Sequence, residues 1–391
     1  MAKSPVVMPV VAGGAIGKFG RLLELPLTDI ARPVVLDALA DAGISIADVE
    51  AAFLGNAFGG SIIGQESILA QILLTPLGFR NIPMHTVKNA CSSGSDAVHL
   101  AWSSVASGQY ECVLVLGAEK LTHEDRRKAF QALSTATDHP VVDESRSVFT
   151  DVNAGRARRY METYGATARD FAEVAAKNRF HASLNERAAS RDLMSAEEVL
   201  ADRAIVDPLT RAMCSGIVDG AACVILMGEA RARRKGIAKP TKVVASAMVS
   251  GNPDADEGGN ATHRAAVAAY AQSGMDPRSV DIAEVHDATA PQELLDIEDL
   301  MFCGRGEAFR LLRDGATKLG GRIPVNTSGG LISRGHPVGA TGVAQVVEIY
   351  EQLQGCAGAR QSNNPKIGLA QMAGGLLGKD SAAATVHILA V

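Results

Sequence analysis

Two stretches of this chain repeat one plan, and that repetition narrows the possible folds more than any other feature. Asn89 opens ACSSG, a turn of small residues, followed by an Ala-rich helical stretch from about Ser93 to Ala106 and the apolar run YECVLVLGAE. Asn326 opens TSGG and a glycine-rich loop, followed by a helical stretch from about Thr341 to Leu353 and the run KIGLAQMAGG. Such self-similarity points to a duplicated unit packed about a pseudo-twofold axis. One copy carries a cysteine where the other carries GHP, so a functional site is expected where the halves meet.

Around the repeats, short apolar runs such as VEAAFLG and IPMHTV alternate with helical stretches, the patterning of an α/β fold. Between about Lys120 and Lys239 the character changes to long charged helical stretches, including TARDFAEVAAKNRFHASLNER. The spacing predicts an N-terminal half over 1–120 completed by 240–273, a helix-rich insertion over 121–239, and a C-terminal half over 274–391. With 47% hydrophobic but only 4% aromatic residues, the interior must be built from Ala, Val, Leu and Ile. Small side chains of this kind imply closely packed helices and strands.

The net charge of -5 over 391 residues argues against a general nucleic-acid binder while leaving room for local basic patches. The first residues lack a signal peptide's layout and no apolar run is long enough to cross a bilayer, so a soluble, cytoplasmic protein without membrane association is expected. Six cysteines (Cys91, Cys112, Cys214, Cys223, Cys303, Cys356) are scattered without a CxxC or Cys/His cluster. Reduced thiols follow, with neither a disulfide framework nor a metal site. There is no Walker or dinucleotide signature.

Cys91 stands where an extended segment becomes a helix. The positive end of a helix favours thiolate over thiol, and the Cys91 amide could donate to an oxyanion, while Ser92, Ser93 and Gly94 leave the backbone open to an acyl group. The alternative is a cysteine packed in an Ala/Ser-rich helix. A nucleophilic cysteine needs a base, and His336 lies in a glycine-rich turn of the other half with little bulk around it. EVHDATAPQE ends an apolar strand with His286 and Asp287, where α/β sheets display functional groups. Asp287 could equally cap the helix beginning near Pro291.

Together these segments are similar to those of the thiolases, which make or break 3-ketoacyl-CoA through an acyl group held on cysteine. NACSSG resembles the family's nucleophile segment, IVDPLTRAMCSGIVDGAACVIL its stretch ending in SDGAAA, and NTSGGLISRGHPVGATG its asparagine-to-histidine loop. The resemblance runs from about Asn89 to Gly375. It implies the thiolase fold, two pseudo-twofold-related βαβαβαββ halves in a layered α/β/α/β/α core with an inserted loop domain that binds CoA. HDAT at His286 is similar to the His-Asp-Cys-Phe of sterol-carrier-protein-type thiolases rather than to the Asn-Glu-Ala-Phe of other branches. By that resemblance Cys91 is the acylated nucleophile and His336 its base. His286 and His336 would hold the thioester oxygen of the enolising partner, and the amides of Cys91 and Gly374 the tetrahedral oxyanion. Ser246 resembles in place a serine near the pantetheine arm, and Asn326 joins it as a CoA-binding candidate. Arg126, Arg127, Lys128, Arg156, Arg158 and Arg159 are candidates for the CoA phosphates.

One departure matters: Met372 and Ala288 occupy the two places where thiolases carry a second, proton-moving cysteine. What remains, Cys91 with two histidines, resembles the ketosynthase set. Three readings follow. The favoured one is a thiolase acting on a 3-ketoacyl-CoA, including bulky or dicarboxylic ones such as benzoylsuccinyl-CoA. The others are a decarboxylating, ketosynthase-like acyl transferase and a catalytically impaired CoA-ester-binding subunit, the last disfavoured by the intact Cys91 and His336. The resemblance implies no cofactor, CoA thioesters as ligands, and a homodimer or homotetramer. It also implies, in archaeal and aromatic-degrading branches, a small OB-fold partner with a zinc ribbon.

Overall fold

The computed structural model describes residues 7–138, 146–254 and 259–391. The parts of the expected domains that fall on 1–6, 139–145 and 255–258 lie outside the described residues. Nine strands form one mixed sheet: β1 (Pro9–Ile16), β2 (Ala51–Gly55), β3 (Met84–Val87), β4 (Cys112–Glu119), β5 (Gly220–Gly228), β6 (Thr241–Ser250), β7 (Ile282–Glu284), β8 (Ile367–Gly374) and β9 (Ala383–Ala390). In space they run β3-β2-β4-β5-β1-β6-β9-β8-β7. Pairing is parallel across β3-β2-β4 and across β8-β7, and antiparallel elsewhere. A parallel bridge from Ala283 to Val325 continues the far edge.

The order reads as one five-strand plan used twice. β3-β2-β4-β5-β1 is answered by Val325-β7-β8-β9-β6, and the two sheets join only where Val10 and Val11 of β1 meet Lys242 and Thr241 of β6. This corrects the expected boundaries. Gly220–Gly228 pairs along its length with β4 and β1, so the insertion ends before it; Thr241–Ser250 pairs with β9, so 240–273 belongs to the second half. A strand's allegiance is set by its hydrogen-bond ladder, and an apolar run does not reveal its neighbour.

Helices fill three layers. In α1 (Leu27–Asp41) the buried residues Leu27, Ile30, Ala31, Val34, Val35, Ala38 and Leu39 follow the 3-4 spacing of a one-sided helix, which packs on the outer face of β1 and β5. The pair α2 (Ser93–Ala106) and α3 (Val338–Gln354) lies between the two sheets, and α3 is buried at every position from Val338 to Ile349. A helix buried on every face belongs in a core, and its buried Glu348 is paired with Arg360. The approach is close because glycine permits it: a Cβ on Gly339 would lie 2.6 Å from the Gly55 carbonyl oxygen. On the opposite outer face, α4 (Ala261–Ser273) covers β6 and β9. Three apolar cores separate these layers, giving α/β/α/β/α. The insertion carries two long helices, Val148–Tyr164 and Ala168–Ser183, beside a small hairpin of Ala204–Val206 with Leu209–Thr210. Among the described residues no helix is long and apolar enough to cross a membrane.

Candidate active site

Cys91 and His336 occupy matching places in the duplicated plan. Each stands two residues before a central helix, α2 beginning at Ser93 and α3 at Val338. The turn before α2 is held by the Ser93 hydroxyl, which accepts from the Asn89 amide at 2.8 Å and donates to the Ala90 carbonyl at 2.7 Å. Ala90 is left-handed with φ 48°, a conformation costing a non-glycine residue on the order of 1 kcal/mol, placed immediately before the thiol. Gly374, at the end of β8, packs on the same turn so closely that a Cβ would lie 2.6 Å from the Ser92 nitrogen.

Thr341, one turn into α3, fixes the protonation of His336. The Thr341 hydroxyl donates its single proton to the Pro337 carbonyl at 3.0 Å, because that oxygen can only accept. It must then accept from His336 Nδ1–H at 2.7 Å. His336 Nε2 is therefore the bare nitrogen, buried and without a hydrogen-bond partner. His286, two residues beyond β7, has its main-chain N–H held by Gln371 Oε1 at 2.9 Å, and its own Nε2 is also buried and unpartnered. The two rings meet edge to face with centroids 5.5 Å apart. Cys91 Sγ and one nitrogen of each ring lie within 4.8 Å of one another.

These atoms open onto a cavity of about 460 Å³ between the halves and the insertion, lined also by Phe130, Phe149, Ile217 and Val338. A thiol and two neutral imidazoles could hold a soft divalent ion, and the same set serves acyl transfer. The bare His336 Nε2 beside a thiol forms a base-and-nucleophile pair, with the unpartnered His286 Nε2 to spare.

The expectation of an acidified thiol is not met in the resting site. Burial pushes the Cys91 thiol up to about 12, with the Glu119 carboxylate adding to it, against the opposing pull of the main-chain N–H groups of Cys91 and Gly375. Desolvation outweighs a helix end because Cys91 lies outside the first turn, with Ser92 as the N-cap. Burial likewise depresses both histidines, His286 to about 4 with Arg156 contributing, and His336 well below its usual range with His286 and Arg334 contributing. Cysteine and histidine thus rest as a neutral pair. Since a base works only when deprotonated and these bases stay deprotonated to lower pH, the acid limb of kcat/KM is expected well below the usual histidine range. A pH-rate profile falling near 6.5 would show that the imidazoles are as solvated as free histidine.

Sequence reasoning missed Glu119, at the end of β4. Its buried carboxylate accepts from the amides of Ala57, Phe58 and Gly339 and from Asn56 Nδ2, at 2.8 to 3.2 Å. The bond to Gly339 ties the first half to the start of α3, and so sets where His336 sits relative to Cys91. Burial raises this carboxyl to about 7. Gly375 was missed as well: its amide, beyond Gly374, is the one that faces the Cys91 sulfur. A strand-end Glu in GAEK carried no sequence signal, since its partners come from three distant segments.

Other candidates lie elsewhere. Ser246 is buried between His99 Nδ1 and His387 Nδ1, each at 2.9 Å, away from the cavity lining. Asn326 spends its side chain inside the second half, accepting from the Val285 amide and donating to Glu293 Oε2. Asp287 does not cap the helix Ala290–Asp299; it accepts from Asn178 Nδ2 and the Leu331 amide, pinning the glycine-rich loop. Ala288 lines the cavity and Met372 is fully buried outside the lining, whereas Cys214 is a second thiol on the cavity wall. Of the basic candidates, Arg126 and Arg156 reach this cavity and Arg159 a neighbouring one. Arg127 pairs with Asp125, Lys128 meets His123, and Arg158 donates to the Asp207 carbonyl.

Family models corroborate the geometry: residues 9–230 match the thiolase N-terminal domain and 242–390 the thiolase C-terminal domain-like family. The chain belongs to the thiolase family. An acetyl-CoA acetyltransferase of Methanothermobacter thermautotrophicus is 38% identical over 383 residues, covering 97% of this chain and 98% of that protein. The benzoylsuccinyl-CoA thiolase subunit BbsB of Thauera aromatica is 36% identical over 93% of this chain and 94% of its own length. Human sterol carrier protein 2 is 34% identical over 87% of this chain and 64% of its own length. Among solved structures, an Ltp2-ChsH2(DUF35) aldolase superposes with a TM-score of 0.80 at 24% identity, covering 99% of both chains. An acetyl-CoA acetyltransferase from Syntrophomonas wolfei superposes with a TM-score of 0.72 at 21% identity, covering 98% of this chain and 99% of that one. This thiolase is accordingly an acyltransferase acting on CoA thioesters.

Proposed function

We propose that this thiolase cleaves a 3-ketoacyl-CoA through an acyl-Cys91 intermediate. The observation that carries the reading is the convergence of the Cys91 sulfur with a ring nitrogen of each of two neutral histidines, both of which keep a buried Nε2 without a partner. His336 Nε2 takes the thiol proton as sulfur attacks the ketone carbon. The alkoxide so formed lies against the Cys91 amide and the Gly374–Gly375 turn, an oxyanion hole in which one donor is worth about 3 kcal/mol. Collapse breaks the Cα–Cβ bond and leaves the acyl group on sulfur. The electron pair passes to the departing thioester as an enolate, whose oxygen rests on the histidines and whose α-carbon takes the proton held by His336. CoA then gives its thiol proton to His336 as its sulfur attacks the acyl-cysteine, and that proton returns to Cys91. One proton serves each half-reaction, so the cycle closes without the second cysteine that Ala288 and Met372 replace.

Arg126 and Arg203 line the cavity without an ion pair among the described residues, and they are assigned to the CoA phosphates. A bulky or dicarboxylic substrate is supported by the benzoylsuccinyl-CoA named for the Thauera relative. That relative's description as a subunit, and the DUF35 component named with the aldolase, support a small partner of the OB-fold and zinc-ribbon kind on a homodimer or homotetramer. Incubation with acetyl-CoA, succinyl-CoA and aroyl-CoA in turn, in the native assembly, is expected to add one acyl mass to the Cys91 peptide, and added CoA to release it. Carbon dioxide from malonyl-CoA would instead support a decarboxylating enzyme. Absence of any adduct and of CoA-dependent cleavage would leave only a binding subunit.

A further inference from the structure

The active-site cavity adjoins a second one, of about 510 Å³, and Arg156, Gln292 and Ser381 line both. Arg156 projects from the insertion helix Val148–Tyr164, which is otherwise far in sequence from the catalytic segments. Its guanidinium donates to Gln292 Oε1 at 3.2 Å and to the Lys379 carbonyl at 3.3 Å. It has no ion pair among the described residues. Among the nearby acids Asp296 acts on Arg156 most strongly, but burial raises its carboxyl well above the usual range and it forms no ion pair with the arginine among the described residues; the others are engaged. Asp299 pairs with Arg305 at 2.5 Å, Asp380 with Arg264 at 3.0 Å, and Glu298 accepts from the Tyr160 hydroxyl. Gln292 is itself braced, donating to Asp296 Oδ1 at 2.8 Å, so the arginine is held in place from below. A desolvated guanidinium with N–H groups to spare is an unmet demand for a carboxylate, which it grips in a planar, paired geometry.

We propose that Arg156 is a specificity-determining residue that binds a carboxylate carried by the acyl-CoA released as the enolate. This deepens the thiolase reading above and rests on it. The side of the substrate follows from placement. Arg156 donates to Gln292 in the helix Ala290–Asp299, which directly follows the His286 segment, so it stands on the side of the enolate's histidine. The carboxylate therefore branches from the α-carbon. The second cavity takes the bulk of that branch, along a wall that includes Tyr160 and Tyr164, whose rings lie 5.1 Å apart.

The test uses benzoylsuccinyl-CoA and its neutral side-chain amide as matched substrates for the native assembly, with Arg156→Gln and Arg156→Lys variants. Wild type is expected to prefer the acid by about 100-fold in kcat/KM, mostly through KM, because a site built for a polar group penalises its absence or replacement. Arg156→Gln should erase that preference while changing turnover of the amide by less than about 5-fold, and Arg156→Lys should restore part of it. Equal cleavage of acid and amide by wild type would overturn the inference while leaving the thiolase reading intact. A loss in Arg156→Gln that is equal for both substrates would do the same, since it would reduce the arginine to supporting His286. Should the glutamine variant fail to fold, the wild-type ratio and the lysine variant still decide. Failure of both substrates to acylate Cys91, with failure of simple 3-ketoacyl-CoA esters too, would remove the function itself.

Discussion

Cys91→Ser is expected to lower CoA-dependent cleavage by about 10⁴-fold or more while leaving the fold unchanged. The hydroxyl is nearly isosteric, and Cys91 is only half-buried at the cavity edge, so packing changes little. The chemistry changes greatly. In a pocket where burial already pushes a thiol up to about 12, an alcohol is far harder to deprotonate, and neutral His336 cannot make up that difference. The check is single-turnover acylation followed by peptide mass, with circular dichroism to confirm the fold. Retention of turnover within 10-fold of wild type would mean that the acyl group never rests on this residue.

His336→Gln is expected to cost about 10³-fold in kcat, within the usual range for losing a positioned general base. Glutamine can preserve the contact to Thr341 but offers no nitrogen lone pair toward the sulfur. Thr341→Val provides the companion measurement. Without the hydroxyl, His336 Nδ1–H loses its partner in a buried site and the tautomer with Nε2 bare is no longer enforced, so kcat should fall by about 10-fold. An unchanged rate in Thr341→Val would mean that the base is oriented by something other than this hydroxyl.

The site was half legible in the sequence because its parts differ in how local their signals are. Cys91 announced itself by its position between an asparagine and a small-residue turn, and His336 by an imidazole amid glycines, where packing gives histidine no role. Glu119, Thr341 and Gly375 gave no such signal, and Arg156 stood out only as one of six basic residues of the insertion. Glu119 matters only because Ala57, Phe58 and Gly339 bring their amides to it, and Arg156 only because a helix of the insertion reaches the mouth of the site. Ser246 illustrates the opposite failure: a residue chosen by place in a strand is, in the folded chain, a buried link between two histidines.

By itself the sequence determined the duplication, the α/β layering and the candidate nucleophile, because apolar periodicity and turn chemistry act over a few residues and survive as patterns. Tertiary structure decided which half owns Gly220–Gly228 and Thr241–Ser250, since strand pairing is a choice among distant ladders. It also decided the resting protonation of the site. The helix end favours a thiolate, but the desolvation imposed by three converging segments is larger, and the sulfur and its two imidazoles rest neutral.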